Sequence, residues 1–136
     1  MKYALHQMLH QGGGVIVNTA SAAGLVGLPS ASAYVASKHA VLGLVRSASL
    51  DLGKRGIRVN AIGPGPIATD ALLARMTRRE QLLGIPVDEA LKNMARQTAL
   101  GRMATINEVA GAALFLASEL SSGITGHLVP VDAGMI

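Results

Sequence analysis

The chain has 136 residues and no cysteine, so its length suits one domain, and both disulfides and thiolate catalysis are excluded. Half of its residues are hydrophobic and only 15% are charged, a composition that folds rather than staying disordered. Its net charge is +4, but two Tyr and one Phe are too few aromatic platforms for stacking single-stranded nucleic acid, so we expect no nucleic-acid partner.

Residues 12–37 form a long uncharged stretch that does not have the composition of a membrane span. The stretch contains Asn18, Pro29 and several Gly and Ser, whereas a transmembrane helix needs about 20 predominantly apolar residues. Residues 1–3 lead into His and Gln rather than into an apolar run, so we expect no secretory signal. The composition predicts a soluble, cytoplasmic protein without a membrane partner.

The first half of the chain alternates between helical and strand patterns. Apolar residues at helical spacing open the chain, and the glycines at 12–14 end that helix. Ser30 and Ser32 are candidate N-caps of a long helix, and Gly56 after two cations indicates its end. The expected elements are a helix over 1–11, a strand over 15–21, a loop over 24–29, a helix from Ser30 or Ser32 to 55 and a strand over 57–62.

The second half begins with a less regular segment over residues 66–104. It contains helical patterns but is broken by Gly and Pro at 84–86. Thr105 and Glu108 have the spacing of a capping box ahead of an apolar helical run. The expected elements are a helix from Thr69-Asp70 through Met76, a helix over 88–96, a helix after Thr105 and a strand over 127–131.

The order of these elements predicts an α/β fold with a parallel sheet. A strand, a helix and a second strand in sequence make a right-handed parallel crossover. No internal repeat or low-complexity tract interrupts the pattern, so residues 1–136 are expected to form a single unit. Open parallel sheets bind their ligands beyond the carboxyl ends of the strands, which places the expected site after the first two strands.

Ser21, Tyr34 and Lys38 are the side chains best suited to chemistry at this edge. Tyr34 and Lys38 are four residues apart at the start of the long helix, so the phenol and the ammonium share one helix face. An ammonium favours the ionised form of a neighbouring phenol, which can then act as a general acid or base. Ser21 can donate a hydrogen bond to a substrate oxygen as charge develops on it. Together these residues predict proton exchange with an alcohol or a carbonyl.

Each of the three residues also has a plainer interpretation. Ser21 suits a strand end without any catalytic role, because Ser is common at turns. A role as nucleophile is disfavoured, because Ser21 does not stand in a G-x-S-x-G context. Tyr34 and Lys38 also fit an ordinary surface pair on an amphipathic helix.

Two further patterns superficially resemble ligand sites. Gly24 and Gly27 follow a strand, but their G-x-x-G spacing and the Pro29 that separates them from the helix favour a flexible turn beside the substrate over a phosphate loop. His6 and His10 share a helix face, but the Glu of an H-E-x-x-H motif is missing. They favour a solvated helix face, and we expect no metal site.

Four motifs in order make the chain resemble the short-chain dehydrogenase/reductase family from about Tyr3 to Gly134. The motifs are GVIVNTAS at 14–21, YVASK at 34–38, RVNAIGPGPIAT at 58–69 and GHLVPVDAG at 126–134. The resemblance implies a Rossmann-like, doubly wound parallel sheet. This chain would hold its C-terminal portion, with three strands and flanking helices.

The resemblance also implies residue roles and a cofactor. In that family the Tyr is the acid/base, the Lys binds the nicotinamide ribose and assists the Tyr, and the Ser orients the substrate oxygen. These roles fall to Tyr34, Lys38 and Ser21. The implied cofactor is NAD or NADP, and the implied substrate is a small alcohol or ketone covered by the variable segment 66–104. The implied lining of the nicotinamide pocket is Pro64, Gly65, Ile67 and Thr69.

The family's cofactor half, with its Gly-rich turn and the Asn of the catalytic tetrad, is expected to precede everything in this chain. Residues 1–136 would then be a partial domain, a truncated fragment with little activity alone. The alternative is a non-catalytic fragment that only associates with other subunits. The strand at 15–21 would lose its inner neighbour and expose an apolar edge, which predicts a homo-oligomer. The residue that selects NAD or NADP also lies in that half, so the choice stays open.

Overall fold

The computed structural model describes residues 1–135, apart from the side chain of Lys2. Three parallel strands form its sheet in the order β1-β2-β3: β1 (Gly14–Thr19), β2 (Ile57–Pro64) and β3 (Leu128–Val131). Both strand pairs are parallel. The predicted α/β fold with a parallel three-stranded sheet is therefore confirmed.

Five α-helices flank the sheet within this described part of the chain. The helix between β1 and β2 makes the parallel crossover, and the other four lie before β1 or between β2 and β3. The helices are α1 (Lys2–His10), α2 (Ser32–Leu52), α3 (Asp70–Leu83), α4 (Val87–Arg96) and α5 (Ile106–Ala117).

The central strand β2 is covered on both faces, and its residues alternate between two environments. Ile57, Val59 and Ala61 are almost fully buried in a core with Leu42 and Val45 of α2. The residues between them face the opposite side, where α5 and the chain after it lie. Because helices cover both faces of this parallel sheet, a ligand is expected to bind at the edge formed by the carboxyl ends of the strands.

Arg58 and Asn60 hold the segment after α5 against β2. The Arg58 guanidinium donates to the carbonyl oxygens of Leu116 at 3.0 Å and Ser118 at 2.9 Å, and to Ser121 Oγ at 3.0 Å. It also donates to the Ile124 carbonyl oxygen at 3.3 Å. Asn60 is fully buried, and its amide donates to the same carbonyl at 2.7 Å. One cation thus satisfies carbonyls at the end of α5 that the helix leaves unpaired.

The expected start of α2 is wrong in detail. The N-cap residue is Ala31, which makes no side-chain capping hydrogen bond, so neither Ser30 nor Ser32 caps the helix. Ser30 has a φ of 57° in the left-handed region, and Ser32 is already the first helical residue. A residue with that backbone conformation does not have the extended geometry of an N-cap, because a cap normally lies in the β region.

Other element ends also differ from expectation. The helix α2 ends at Leu52 rather than at 55, and β2 continues past 62 to Pro64. β1 ends at Thr19 rather than at residue 21, because the chain turns there into a short 3₁₀ turn, Ala22–Gly24. The helix α3 continues past Met76 to Leu83, since no helix-breaking residue occurs before Gly84. Gly84 then ends the helix with a φ of 70°, a conformation that glycine adopts without steric cost.

The capping box predicted ahead of α5 is present. Thr105 Oγ1 accepts from the Glu108 backbone N–H at 3.2 Å, and the Glu108 carboxylate accepts from the Thr105 backbone N–H at 2.8 Å. The Arg102 guanidinium adds a two-pronged ion pair to the same carboxylate, at 3.0 and 2.6 Å. This cluster fixes where α5 begins and ties the segment before it to the helix.

Replacing Glu108 by Gln should lower stability at neutral pH and have little effect at strongly acidic pH. The hydrogen bond from Arg102, and after it the one from the Thr105 backbone, lowers the pKa of Glu108 from 4.5 to about 2. A carboxyl whose pKa is lower in the folded state adds stability above its unfolded pKa and loses that stability as the pH falls through the folded value. The difference between the two proteins should therefore shrink as the pH falls from 4.5 toward 2.

The expected difference is small, because the two side chains are 50% and 42% exposed. Urea unfolding of both proteins across this pH range measures it. A stability difference that stays constant down to the most acidic pH would show that the Glu108 carboxylate contributes nothing through its charge.

Candidate active site

Ser21 lies where β1 ends, against the end of the neighbouring strand β2. Its hydroxyl oxygen accepts from the Ala23 backbone N–H at 3.2 Å and so caps the 3₁₀ turn. The hydroxyl also donates to the Pro64 carbonyl oxygen at 3.4 Å, and the residue is only 8% exposed. A hydroxyl has one donor and two acceptor positions, and this donor is held only by a long bond. Ser21 is therefore fixed in place with its O–H able to turn to a ligand.

Tyr34 and Lys38 occupy the first two turns of α2 and share one face of it. The Lys38 ammonium lies 5.7 Å from the centroid of the Tyr34 ring, and it donates to the Thr19 carbonyl oxygen at 3.4 Å. Thr19 is the last residue of β1, so the ammonium bridges the strand end and the phenol. Among the described residues no group hydrogen-bonds the Tyr34 hydroxyl, and the side chain is 48% exposed. The phenol is thus available to a ligand.

Glycine at position 24 allows α2 to approach the turn that carries Ser21. A Cβ on Gly24 would lie 3.0 Å from the Lys38 carbonyl oxygen and 2.8 Å from the Leu42 side chain. Any larger residue would push the helix away, because interiors are close-packed. The close contact brings the helix of Tyr34 and Lys38 against the turn of Ser21.

A cavity of about 730 Å³ opens at this edge of the sheet. Its lining includes Ser21 and Tyr34, together with Pro64 and Gly65 at the end of β2. This volume lies within the range of small-molecule sites. Residues of α3, the end of α4 and the C-terminal segment complete the lining: Arg75, Met76, Arg79, Met94, Gln97 and Met135.

A second cavity of about 450 Å³ adjoins the first. Its lining includes all four residues expected at a nicotinamide, and Pro64 and Gly65 border both cavities. Ile67 and Thr69 line only this second cavity, and Thr69 also caps α3 by accepting from the Leu72 N–H at 3.3 Å. Lys38 lines neither cavity, and its ammonium lies 5.7 Å from the Tyr34 ring.

Gly65 also has a packing role that the sequence did not indicate. A Cβ at this position would lie 2.7 Å from the Cβ of Asp132 and 2.9 Å from its Cα. The ends of β2 and β3 therefore approach each other only because residue 65 is a glycine. This close approach shapes the shared border of the two cavities.

The side chains of α3 and α4 in the cavity wall were not singled out from the sequence. Arg75 and Arg79 are one helical turn apart, which is a signal that sequence reading could have used. The spacing alone does not reveal which way α3 faces. The orientation of the helix against the sheet decides it, and that orientation depends on tertiary packing.

The parallel sheet carries a Ser after one strand, and the crossover helix that follows carries a Tyr-x-x-x-Lys pair. This arrangement forms part of a Rossmann-like, doubly wound domain. Residues 1–136 match the protein family described as enoyl-(acyl carrier protein) reductase. The chain belongs to the short-chain dehydrogenase/reductase family, as the motifs predicted.

Similar proteins are roughly twice as long as this chain. An uncharacterised oxidoreductase of Thermotoga maritima is 41% identical over 133 residues, which are 98% of this chain and 51% of that protein. A structure of NAD⁺-bound xylitol dehydrogenase has a TM-score of 0.89 at 34% identity, covering 98% of this chain and 53% of that one. A structure of ElxO with NADP bound has a TM-score of 0.83 at 35% identity, covering 99% and 51%.

The part of the chain that the structure describes contains neither a membrane-spanning helix nor a cluster of metal-ligating side chains. No helix there has both the length and the apolar character needed to cross a membrane. Within the same residues, no three or more His, Cys, Asp or Glu side chains are grouped to hold a metal ion.

Proposed function

We propose that this chain forms the proton-transferring and substrate-binding part of an oxidoreductase that moves a hydride between NAD(P) and an alcohol or ketone. The observation that carries the proposal is the shared cavity of Ser21 and Tyr34, with the Lys38 ammonium 5.7 Å from the phenol ring. A hydrogen-bond donor, a phenol and a cation at one ligand edge are the groups that such a reaction needs.

Tyr34 is the proposed acid/base. In the oxidation of an alcohol, the substrate O–H gives its proton to the phenolate oxygen of Tyr34, and the carbonyl double bond forms as the C–H bond breaks. The Lys38 ammonium stabilises the phenolate through its positive charge. Ser21 donates a hydrogen bond to the substrate oxygen and holds it beside the phenol. In the reverse direction the phenol returns the proton to the developing alkoxide.

The second cavity suits the nicotinamide end of the cofactor. Its walls are largely apolar, and it meets the first cavity at Pro64 and Gly65. Pro64, Gly65, Ile67 and Thr69 would hold the ring there, with Tyr34 and Lys38 at the adjoining ribose. When bound, the nicotinamide accepts or supplies the hydride.

The turn between β2 and α3 is poorly suited to the cofactor's phosphates. Pro64 and Pro66 lack the backbone N–H groups that a phosphate cradle uses. Asp70 adds a negative charge in the first turn of α3. The phosphates therefore need groups other than this turn. Similar structures hold NAD⁺ in one case and NADP in another, so this chain is proposed to use a nicotinamide cofactor of either kind.

The proposal is tested with a fusion protein. Residues 1–136 replace the matching half of the Thermotoga maritima relative, and the other half of that relative is kept. We call this fusion the joined protein. We expect it to oxidise members of a panel of secondary alcohols with NAD⁺ or NADP⁺, and we expect little or no turnover from residues 1–136 alone. A folded joined protein without turnover on any alcohol or ketone would favour a chain that only associates. Robust turnover by the 136 residues alone would show that they bind the whole cofactor.

A further inference from the structure

The charged side chains that line the larger cavity both come from α3. Arg75 and Arg79 line it from α3, and no Asp or Glu is among its lining residues. The rest of the lining is apolar or neutral. Ser21 and Tyr34 lie in the lining of the same cavity. A ligand that reaches both groups therefore meets a proton-transfer site and two positive charges.

The two guanidinium groups are not neutralised by the protein. The ion pair found among residues 1–135 joins Arg102 and Glu108, away from this cavity. Arg75 and Arg79 are one helical turn apart, and like charges at that spacing destabilise a helix. An anion bound between them removes this repulsion. Arginine suits the task, because its planar fork binds carboxylate or phosphate oxygens in pairs.

We propose that Arg75 and Arg79 bind an anionic group of the substrate, a carboxylate, phosphate or sulfonate, while its hydroxyl or keto carbon lies at Ser21 and Tyr34. The inference rests on the proposed function, since it names the class of alcohol or ketone that the site takes. Arg79 is the more selective position, because it lines only the larger cavity. Arg75 borders both cavities and lies closer to the proposed nicotinamide pocket.

The test compares two ligands that differ in charge and share a ketone, levulinate and its methyl ester. Each is titrated into the ¹⁵N-labelled 136-residue chain, and backbone amide shifts report the affinity and the place of binding. We expect levulinate to bind more tightly than the ester and to shift amides near Ser21 and Tyr34. Raising the ionic strength should reduce the preference, because salt screens exposed charges.

Variants assign the preference to the two arginines. Arg79→Gln should weaken levulinate binding about fivefold, the upper end for an exposed ion pair, and the double variant with Arg75→Gln should weaken it further. Ester binding should not change. Arg78→Gln is the matched control, because Arg78 lies on the same helix and lines neither cavity. Circular dichroism checks that each variant keeps its helices.

Several results would overturn the proposal. These are equal affinity for the two ligands, no binding of either, an equal loss in the Arg78 control, or levulinate shifts far from Ser21 and Tyr34. The readout is independent of turnover. If levulinate selectivity depends on Arg79 but the joined protein is inactive, the anion site stands and the proposed reaction fails. If the joined protein is active but the chain binds levulinate no more tightly than its methyl ester, only the anion site fails.

Discussion

Replacing Tyr34 by Phe in the joined protein should lower kcat by about 100- to 10,000-fold, the range of general acid–base catalysis. The change removes one oxygen and keeps the ring and its packing. The cavity lining contains no Asp, Glu or His that could take over the proton. Cofactor affinity should stay close to that of the unaltered protein, since the ring that is proposed to pack beside the ribose is kept.

Two companion variants separate the roles of the neighbouring residues. Ser21→Ala should lower kcat with little change in the pH profile, because a hydrogen bond to the substrate oxygen is lost and the acid/base remains. Lys38→Ala should also weaken cofactor binding, because its ammonium is proposed to contact the ribose. The measurement is kcat and KM for each variant across pH. If Tyr34→Phe keeps more than about a tenth of kcat, far outside the general acid–base range, Tyr34 is not the acid/base.

Replacing Arg58 by Ala should destabilise the chain by about 2–4 kcal/mol, among the larger effects of single substitutions. One guanidinium holds the carbonyls of Leu116, Ser118 and Ile124 together with the Ser121 hydroxyl. Ser121 is almost fully buried. Removing the guanidinium takes away charge-assisted hydrogen bonds in a region that water reaches poorly, although Asn60 and Ser121 still donate to the same carbonyls. Hydrogen bonds to charged groups are worth about 1.5–3 kcal/mol each.

Urea unfolding followed by circular dichroism measures this effect in the 136-residue chain. Arg55→Ala is the control, because Arg55 is exposed in the 3₁₀ turn Gly53–Arg55 before β2 and has no comparable set of bonds. We expect the control to shift the midpoint little. An Arg58→Ala midpoint equal to that of the control would mean that water replaces the guanidinium at these carbonyls.

The sequence predicted the elements whose signals are local. The capping box at Thr105 and Glu108 forms as expected, because both partners lie within one turn of the helix they start. Gly56 is left-handed, as expected after two cations, but it ends the 3₁₀ turn before β2 and not α2, which already stops at Leu52. The strand β1 was predictable as well, since the short apolar run at 15–17 is typical of a strand.

The sequence failed where tertiary contacts decide the outcome. Serine is a common N-cap residue, so Ser30 was a reasonable candidate. In the structure Ser30 has a left-handed backbone conformation just before α2, which a local sequence pattern does not reveal. The same limit applies to the site. Topology brings the strand end of Ser21 and the helix start of Tyr34 to one edge, and connectivity alone predicts this. The orientation of α3 about its own axis puts Arg75 and Arg79 in the cavity wall. That orientation depends on how the helix packs against the rest of the fold.

The most direct test of the proposed chemistry is a crystal structure of the joined protein with oxidised cofactor and an alcohol it oxidises too slowly to turn over during crystallisation. We predict that the alcohol oxygen lies within hydrogen-bonding distance, about 2.6–3.2 Å, of both Ser21 Oγ and Tyr34 Oη. The nicotinamide ring should lie against Pro64 and Gly65 with its reactive carbon facing the carbinol carbon. An alcohol bound with its oxygen away from Tyr34, or a nicotinamide outside the cavity of Ile67 and Thr69, would contradict the assignment.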